Sequence, residues 1–178
     1  LSSVTADQLF DLALLYTGQG DLQRAEQYLS AAQQRGYEEP AVVFWLVRVC
    51  ILAGRYHSAL EHAGRYLRQH PEAWPLRLVV ASIHEALGDF GRARANLEAI
   101  VEAEPDRALP HYRIALLYLE HSDTSRARHH LQQYLRLAPE GSHGPEADAT
   151  LRALERSKTH RDSVLLSSTD HAFAKGAP

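Results

Sequence analysis

Apolar residues mark one face of two successive short helices near the start of the chain. Leu9, Leu12, Ala13 and Tyr16 recur at i, i+3, i+4 and i+7, the spacing that lines one side of an α-helix. Gly18-Gln19-Gly20-Asp21 breaks the pattern, and Leu22, Ala25, Leu29 and Ala32 resume it. The pattern predicts a helix, a tight turn and a second, antiparallel helix. It then returns at a step of 34 residues: Ala25, Ala59, Ala93 and Ala127; Leu12, Leu46, Val80 and Ile114; Ala13, Val47, Ala81 and Ala115; Gly20, Gly54, Gly88 and then Ser122. A fixed period of this length marks one supersecondary unit copied four times, each copy burying a face it cannot close alone. Function is therefore expected on a surface built across copies rather than in a catalytic pocket.

Helix ends agree with this reading. Thr5-Ala6-Asp7-Gln8 has the spacing of a capping box. Asp21, Asp89 and Asp123 stand where second helices begin, beside the positive end of the helix dipole. Pro71, Pro105 and Pro139 close second helices, and Gly36 takes that role in the first copy. Pro40, Pro75 and Pro110 fall in the opening turns of later first helices, where proline is tolerated. The alanine columns have a steric reading: where two antiparallel helices cross closely, a larger side chain forces them apart.

The stretch L-x-x-L-A-x-x-Y…G-D-L-x-x-A-x-x-x-L-x-x-A at Leu9–Ala32 resembles the tetratricopeptide repeat family, and three further copies carry its main columns. The resemblance covers about residues 6 to 141 and implies an all-α fold, an α-solenoid of four helix-turn-helix repeats. The repeats are placed at 6–39, 40–73, 74–107 and 108–141, after a lead-in at 1–5. Departures are Cys50 and His84 where the family has an aromatic ending the first helix, and Ser122 for the turn glycine. Gly144-Pro145-Glu146-Ala147-Asp148 reads as a helix start, and Ala147, Leu151 and Leu154 form a narrow apolar stripe. Residues 142–158 are thus expected to cap the last repeat, leaving 159–178 as a C-terminal tail.

In this family the concave side, lined by first helices, takes peptides or partner helices. The first-helix residues left after the core columns are removed also repeat at 34: Phe10, Phe44, Leu78, Tyr112; Leu14, Arg48, Ser82, Leu116; Thr17, Ile51, Glu85, Leu119. They predict an apolar groove with aromatic anchors and two charged positions. Its expected protein-binding residues are Phe10, Leu14, Phe44, Arg48, Ile51, Leu78, Glu85, Tyr112, Leu116 and Leu119. Family members that grip acidic chaperone C-termini use Lys, Asn and Arg on these helices, whereas Phe10, Leu14, Trp45, Pro75 and Val79 stand here. An apolar segment or amphipathic helix is the better partner. Arg24, Arg92 and Arg126 share a column, but each follows an aspartate by three residues, which suits local pairing on a solvated face.

Composition narrows the function further. The 178 residues are 45% hydrophobic with a net charge of −3, which argues against a concentrated basic footprint for nucleic acid. No run of 18 apolar residues predicts a membrane span. Cys50 is the single cysteine, so a disulfide within the chain is excluded, and the thiol does not separate bacterial cytoplasm from periplasm. Seventeen arginines against two lysines suggest a GC-rich, bacterial coding sequence. The opening Leu1-Ser2-Ser3-Val4 suggests a processed or trimmed chain.

No H-E-x-x-H, CxxC, glycine-rich phosphate loop or G-x-S-x-G occurs. His129 and His130 are adjacent, and His57 and His62 are five apart; both spacings are poor for chelation on a helix. His84 and Cys50 occupy an aromatic core column and read as packed residues. No catalytic, cofactor or metal site is expected. The main expectation is a non-enzymatic protein–protein interaction module. A bacterial assembly factor or chaperone of the pilotin or secretion type, and a regulatory segment of a larger enzyme, are the alternatives. A further expectation is autoinhibition, with Val164–Leu166 or Phe173 of the tail in the groove.

Overall fold

The computed structural model describes residues 4–157, and the tail with Val164–Leu166 and Phe173 lies outside them. The described residues are all helical, with no strand among them. The helices are α1 (Ala6–Gly18), α2 (Leu22–Gln34), α3 (Glu39–Leu52), α4 (Tyr56–Gln69), α5 (Trp74–Ala86), α6 (Phe90–Ala103), α7 (Ala108–Glu120) and α8 (Thr124–Leu137). A last helix, α9, spans residues 144–157. The chain divides into two compact units, residues 1–96 and 97–178.

Local chemistry explains the helix ends. Thr5 and Gln8 close the capping box on α1, with Gln8 N–H donating to Thr5 Oγ1 at 3.3 Å and Thr5 N–H to Gln8 Oε1 at 2.9 Å. Asp21, Asp89 and Asp123 accept from the backbone N–H of Arg24, Arg92 and Arg126 at 3.0–3.1 Å, which satisfies donors left over in the first turn. The same aspartates pair with those arginines at 3.2, 3.5 and 3.5 Å. This column of arginines is thus engaged along its own helices, on a solvated face. Arg55 stands where the second repeat lacks an aspartate, and α4 has no side-chain cap.

Every first helix ends in the same two bonds. In α1, Gly20 N–H reaches Thr17 O and Asp21 N–H reaches Tyr16 O; the pattern repeats at Gly54 and Arg55, Gly88 and Asp89, and Ser122 and Asp123. This is a Schellman turn, which needs a left-handed residue just past the helix. Three copies use glycine at φ +70° to +77°, but the fourth holds Ser122 at φ 59°. A left-handed residue other than glycine costs about 1–2 kcal/mol, partly offset by the extra freedom that glycine loses on folding. Ser122→Gly is therefore expected to stabilise the chain by about 0.5–1 kcal/mol, read as a higher urea midpoint at unchanged slope. A lower midpoint would contradict the strain at this turn.

Unit one buries two apolar clusters. The first joins Leu9, Phe10 and Ala13 of α1 with Ala25, Leu29 and Ala32 of α2 and Val42, Leu46 and Val49 of α3. The second joins Val43, Val47 and Cys50 of α3 with Ala59, Ala63 and Leu67 of α4 and Leu76, Val80 and Ile83 of α5. Helix α3 therefore serves two neighbours, and its buried residues cover more than one face. In unit two, Tyr112 and Ala115 of α7 meet Leu131 and Tyr134 of α8 and Ala147 of α9, with Leu151 and Leu154 packed alongside. The link from α8 to α9 is tight. Gly144 lies so near the Pro139 carbonyl that a Cβ there has no room. All four alanines of the Ala25 column are fully buried.

Candidate functional site

Helix α3 carries the most open apolar surface of unit one's interior helices. Phe44, Arg48 and Ile51 lie one turn apart on it, at i, i+4 and i+7, so they share a face. With Val47, Leu52 and Val79 of α5 they line a concavity of about 280 Å³. Phe44 is 49% exposed and Leu52 56% exposed. The Arg48 guanidinium sits 5.0 Å from the Trp45 ring centroid, and Trp45 meets Phe44 edge-on at 6.3 Å. The aromatic pair thus braces an apolar hollow and holds a cation at its rim.

The structure corrects two of the expected anchors. Phe10 is 8% exposed, because Tyr37, in the connection after α2, folds back and stacks on it at 4.2 Å. Tyr112 is 4% exposed, because His143, in the connection before α9, stacks on it at 4.4 Å while Tyr134 packs beside it. Both rings belong to the core and offer no docking surface. Phe44 escapes this cover, since the position 34 residues beyond Tyr37 is Pro71. Leu14 is half-buried against the first cluster. Leu78 and Glu85 are half-buried on α5, and the neighbouring Val79, not Leu78, lines the hollow. In unit two, α7 exposes Leu116 and half-buries Leu119.

A second concavity of unit one, about 740 Å³, went unnoticed in the sequence. Arg68, Arg77 and Arg92 line it together with His84 and Asn96. These arginines come from three different repeat columns, so no periodic signal links them. His84 is buried as expected from its core column, and its Nδ1 finds no hydrogen-bond partner; Asp89 is 3.9 Å away. Burial pushes its pKa below the usual histidine value.

Comparison with known proteins separates fold from detail. Three models described as tetratricopeptide repeat match residues 10–73, 51–111 and 111–141. The chain is a tetratricopeptide repeat protein. No curated protein matches it in sequence. Among solved structures, a tetratricopeptide repeat protein from Parabacteroides merdae is 18% identical, with TM-score 0.75 over 96% of this chain and 68% of that one. YrrB, described as having an unusual peptide-binding site, is 17% identical, with TM-score 0.66 over 83% of this chain and 76% of its own. MamA from Desulfovibrio magneticus is 16% identical, with TM-score 0.67 over 99% of this chain and 100% of its own. At such identities the likeness establishes the helical repeat fold.

Tetratricopeptide repeats are protein-interaction modules and typically non-catalytic, so the expected partners of this one are proteins. Among the described residues no helix is long and apolar enough to cross a membrane. In unit two His111 and His130 face each other, Nδ1 to Nδ1, at 3.1 Å, and His111 Nε2 lies 3.4 Å from Pro105 O. That carbonyl can only accept, so His111 carries its proton on Nε2 and His130 donates from Nδ1. Two imidazolium rings cannot keep this contact. Burial, reinforced by His111 and His129, pushes His130 down to about 4.

One grouping of donors in the tetratricopeptide repeats was missed entirely in the sequence. Glu26 of α2, Cys50 of α3 and His62 of α4 bring one ligand atom each within 4.8 Å of one another. The residues are 24 and 12 positions apart on three helices, a spacing no short motif describes. Cys50 is fully buried, as its column predicts, while Glu26 and His62 are half-buried.

Proposed function

We propose that this protein binds an apolar segment or amphipathic helix of a partner protein on the face of α3 and α5 in unit one. The observation that carries the reading is the hollow bounded by Phe44, Val47, Ile51, Leu52 and Val79, with Phe44 and Leu52 about half exposed at its edge. Large apolar side chains left open beside a concavity are the usual mark of a contact surface. Arg48 at the rim favours a partner with an acidic residue, or a helix C-terminus, next to its apolar anchors. Helix α3 is packed against α2 and α4 on its other sides, so the surface is rigid before binding and loses little entropy on contact. Leu14, Leu78 and Glu85 are proposed contributors at its margins, and Leu116 and Leu119 of α7 are a proposed contact of unit two by itself; Phe10 and Tyr112, being buried, take no part.

Panning a random-peptide library against the full chain tests this. The selected peptides should carry large apolar residues at helical spacing. Phe44→Ala and Arg48→Ala should each weaken them at least about tenfold, or roughly 1.4 kcal/mol, with the far-ultraviolet circular dichroism unchanged. Peptides that bind the Phe44→Ala protein as tightly as the parent would place the site elsewhere.

A further inference from the structure

Two columns of the repeat face each other inside three of the hairpins: the last core position of the first helix, and the residue twelve further on in the second. In the first repeat they are Tyr16 and Tyr28, stacked at 5.3 Å. In the fourth they are Tyr118 and His130, stacked at 5.8 Å. The second repeat places Cys50 and His62 there. The aromatic filling is gone, and two metal-ligating groups of borderline-soft character stand in its place. Glu26, reaching in from α2, completes the set; its column holds Leu60, Arg94 and Arg128 in the other repeats. Among the described residues only this position gathers three such donors.

The carboxylate is also held in a useful orientation. Arg55 grips Glu26 Oε2 at 2.6 Å, while Oε1 faces Cys50 Sγ at 3.9 Å. One oxygen is thus anchored and the other is presented to the thiol. Second partners of this kind commonly orient the ligands of a metal. Arg55 stands where the three other repeats have a capping aspartate paired along its own helix, and its side chain instead reaches across to α2.

We propose that Glu26, Cys50 and His62 form a binding site for a divalent transition-metal ion of the zinc class, with Arg55 positioning the carboxylate. Thiolate, imidazole and carboxylate together suit zinc or cobalt better than magnesium or calcium, which prefer oxygen alone. Three protein ligands leave the fourth tetrahedral position open to water or to a group from a partner. Ligand atoms on one tetrahedral ion lie about 3.4–3.7 Å apart, so the present spacing of up to 4.8 Å closes by about 1 Å. The half-buried side chains of Glu26 and His62 can supply that movement by rotation, while the buried Cys50 stays fixed. A thiol must lose its proton to bind the ion, so binding weakens in acid.

Cobalt(II) titrated into the full, reduced chain tests this directly. Cys50 is the only cysteine, so a thiolate-to-cobalt charge-transfer band reports on this site alone, whatever the other histidines bind. The expected result is such a band saturating at one equivalent, with the strong visible absorption of a tetrahedral ion, bleached by added zinc and fading as the pH falls. His62→Gln and Glu26→Gln should each weaken cobalt binding at least tenfold while the circular dichroism is kept. Absence of the band in the parent protein at one equivalent of cobalt overturns the proposal. So does a band that both variants retain at full strength.

Discussion

Leu46→Ala is expected to lower the unfolding free energy by about 2–5 kcal/mol. Leu46 is fully buried and meets residues of α1 and α2 in the first cluster of unit one. Truncation removes three carbons from a packed interior, and helices held on both sides have little freedom to close the gap. The loss combines the forfeited transfer energy with the cavity left behind. The measurement is a urea titration followed by circular dichroism. Leu52→Ala is the reference: Leu52 lies on the same helix, six residues on, but is 56% exposed, and its truncation should stay within about 0.5 kcal/mol. Equal losses at the two positions would contradict the assignment of α3's inner face.

Ala59→Leu should destabilise from the opposite direction, by about 1–3 kcal/mol. Ala59 of α4 is fully buried in the cluster with Val43, Val47 and Cys50 of α3. Its methyl group sets how closely the two helices approach. A leucine can fit only by parting them or by leaving its preferred rotamer. Helix propensity works the other way only weakly, since leucine and alanine are both strong helix formers. Ala86→Leu, at an exposed position ending α5, controls for that and should fall within about 0.5 kcal/mol. The midpoint shift between the two variants isolates the cost of overpacking.

Most of the fold was legible because its rules are local. The capping box at Thr5, the aspartates at 21, 89 and 123, and the prolines closing second helices each act within four residues of themselves. The buried alanines followed from periodicity alone. The candidate site was legible only in part. Phe44, Arg48 and Ile51 stand together because they share a helix face. Phe10 and Tyr112 share the column of Phe44, yet their exposure is decided by Tyr37 and His143, residues of connections outside the apolar helix faces that the repeat pattern marks. The same reasoning hid the donors at Glu26, Cys50 and His62. Each was readable as a column member, but their meeting depends on how three helices pack.

The facing pair inside three of the hairpins has a consequence for how such proteins diversify. Tyr16 with Tyr28, Cys50 with His62, and Tyr118 with His130 fill equivalent places with different chemistry. The surrounding alanines and leucines keep the helices where they are, whichever pair is present. A duplicated hairpin therefore arrives with a spare compartment already shaped and supported. Selection can refit one compartment while its siblings carry on bearing the load, so novelty at one level of the array need not be purchased with the integrity of the rest.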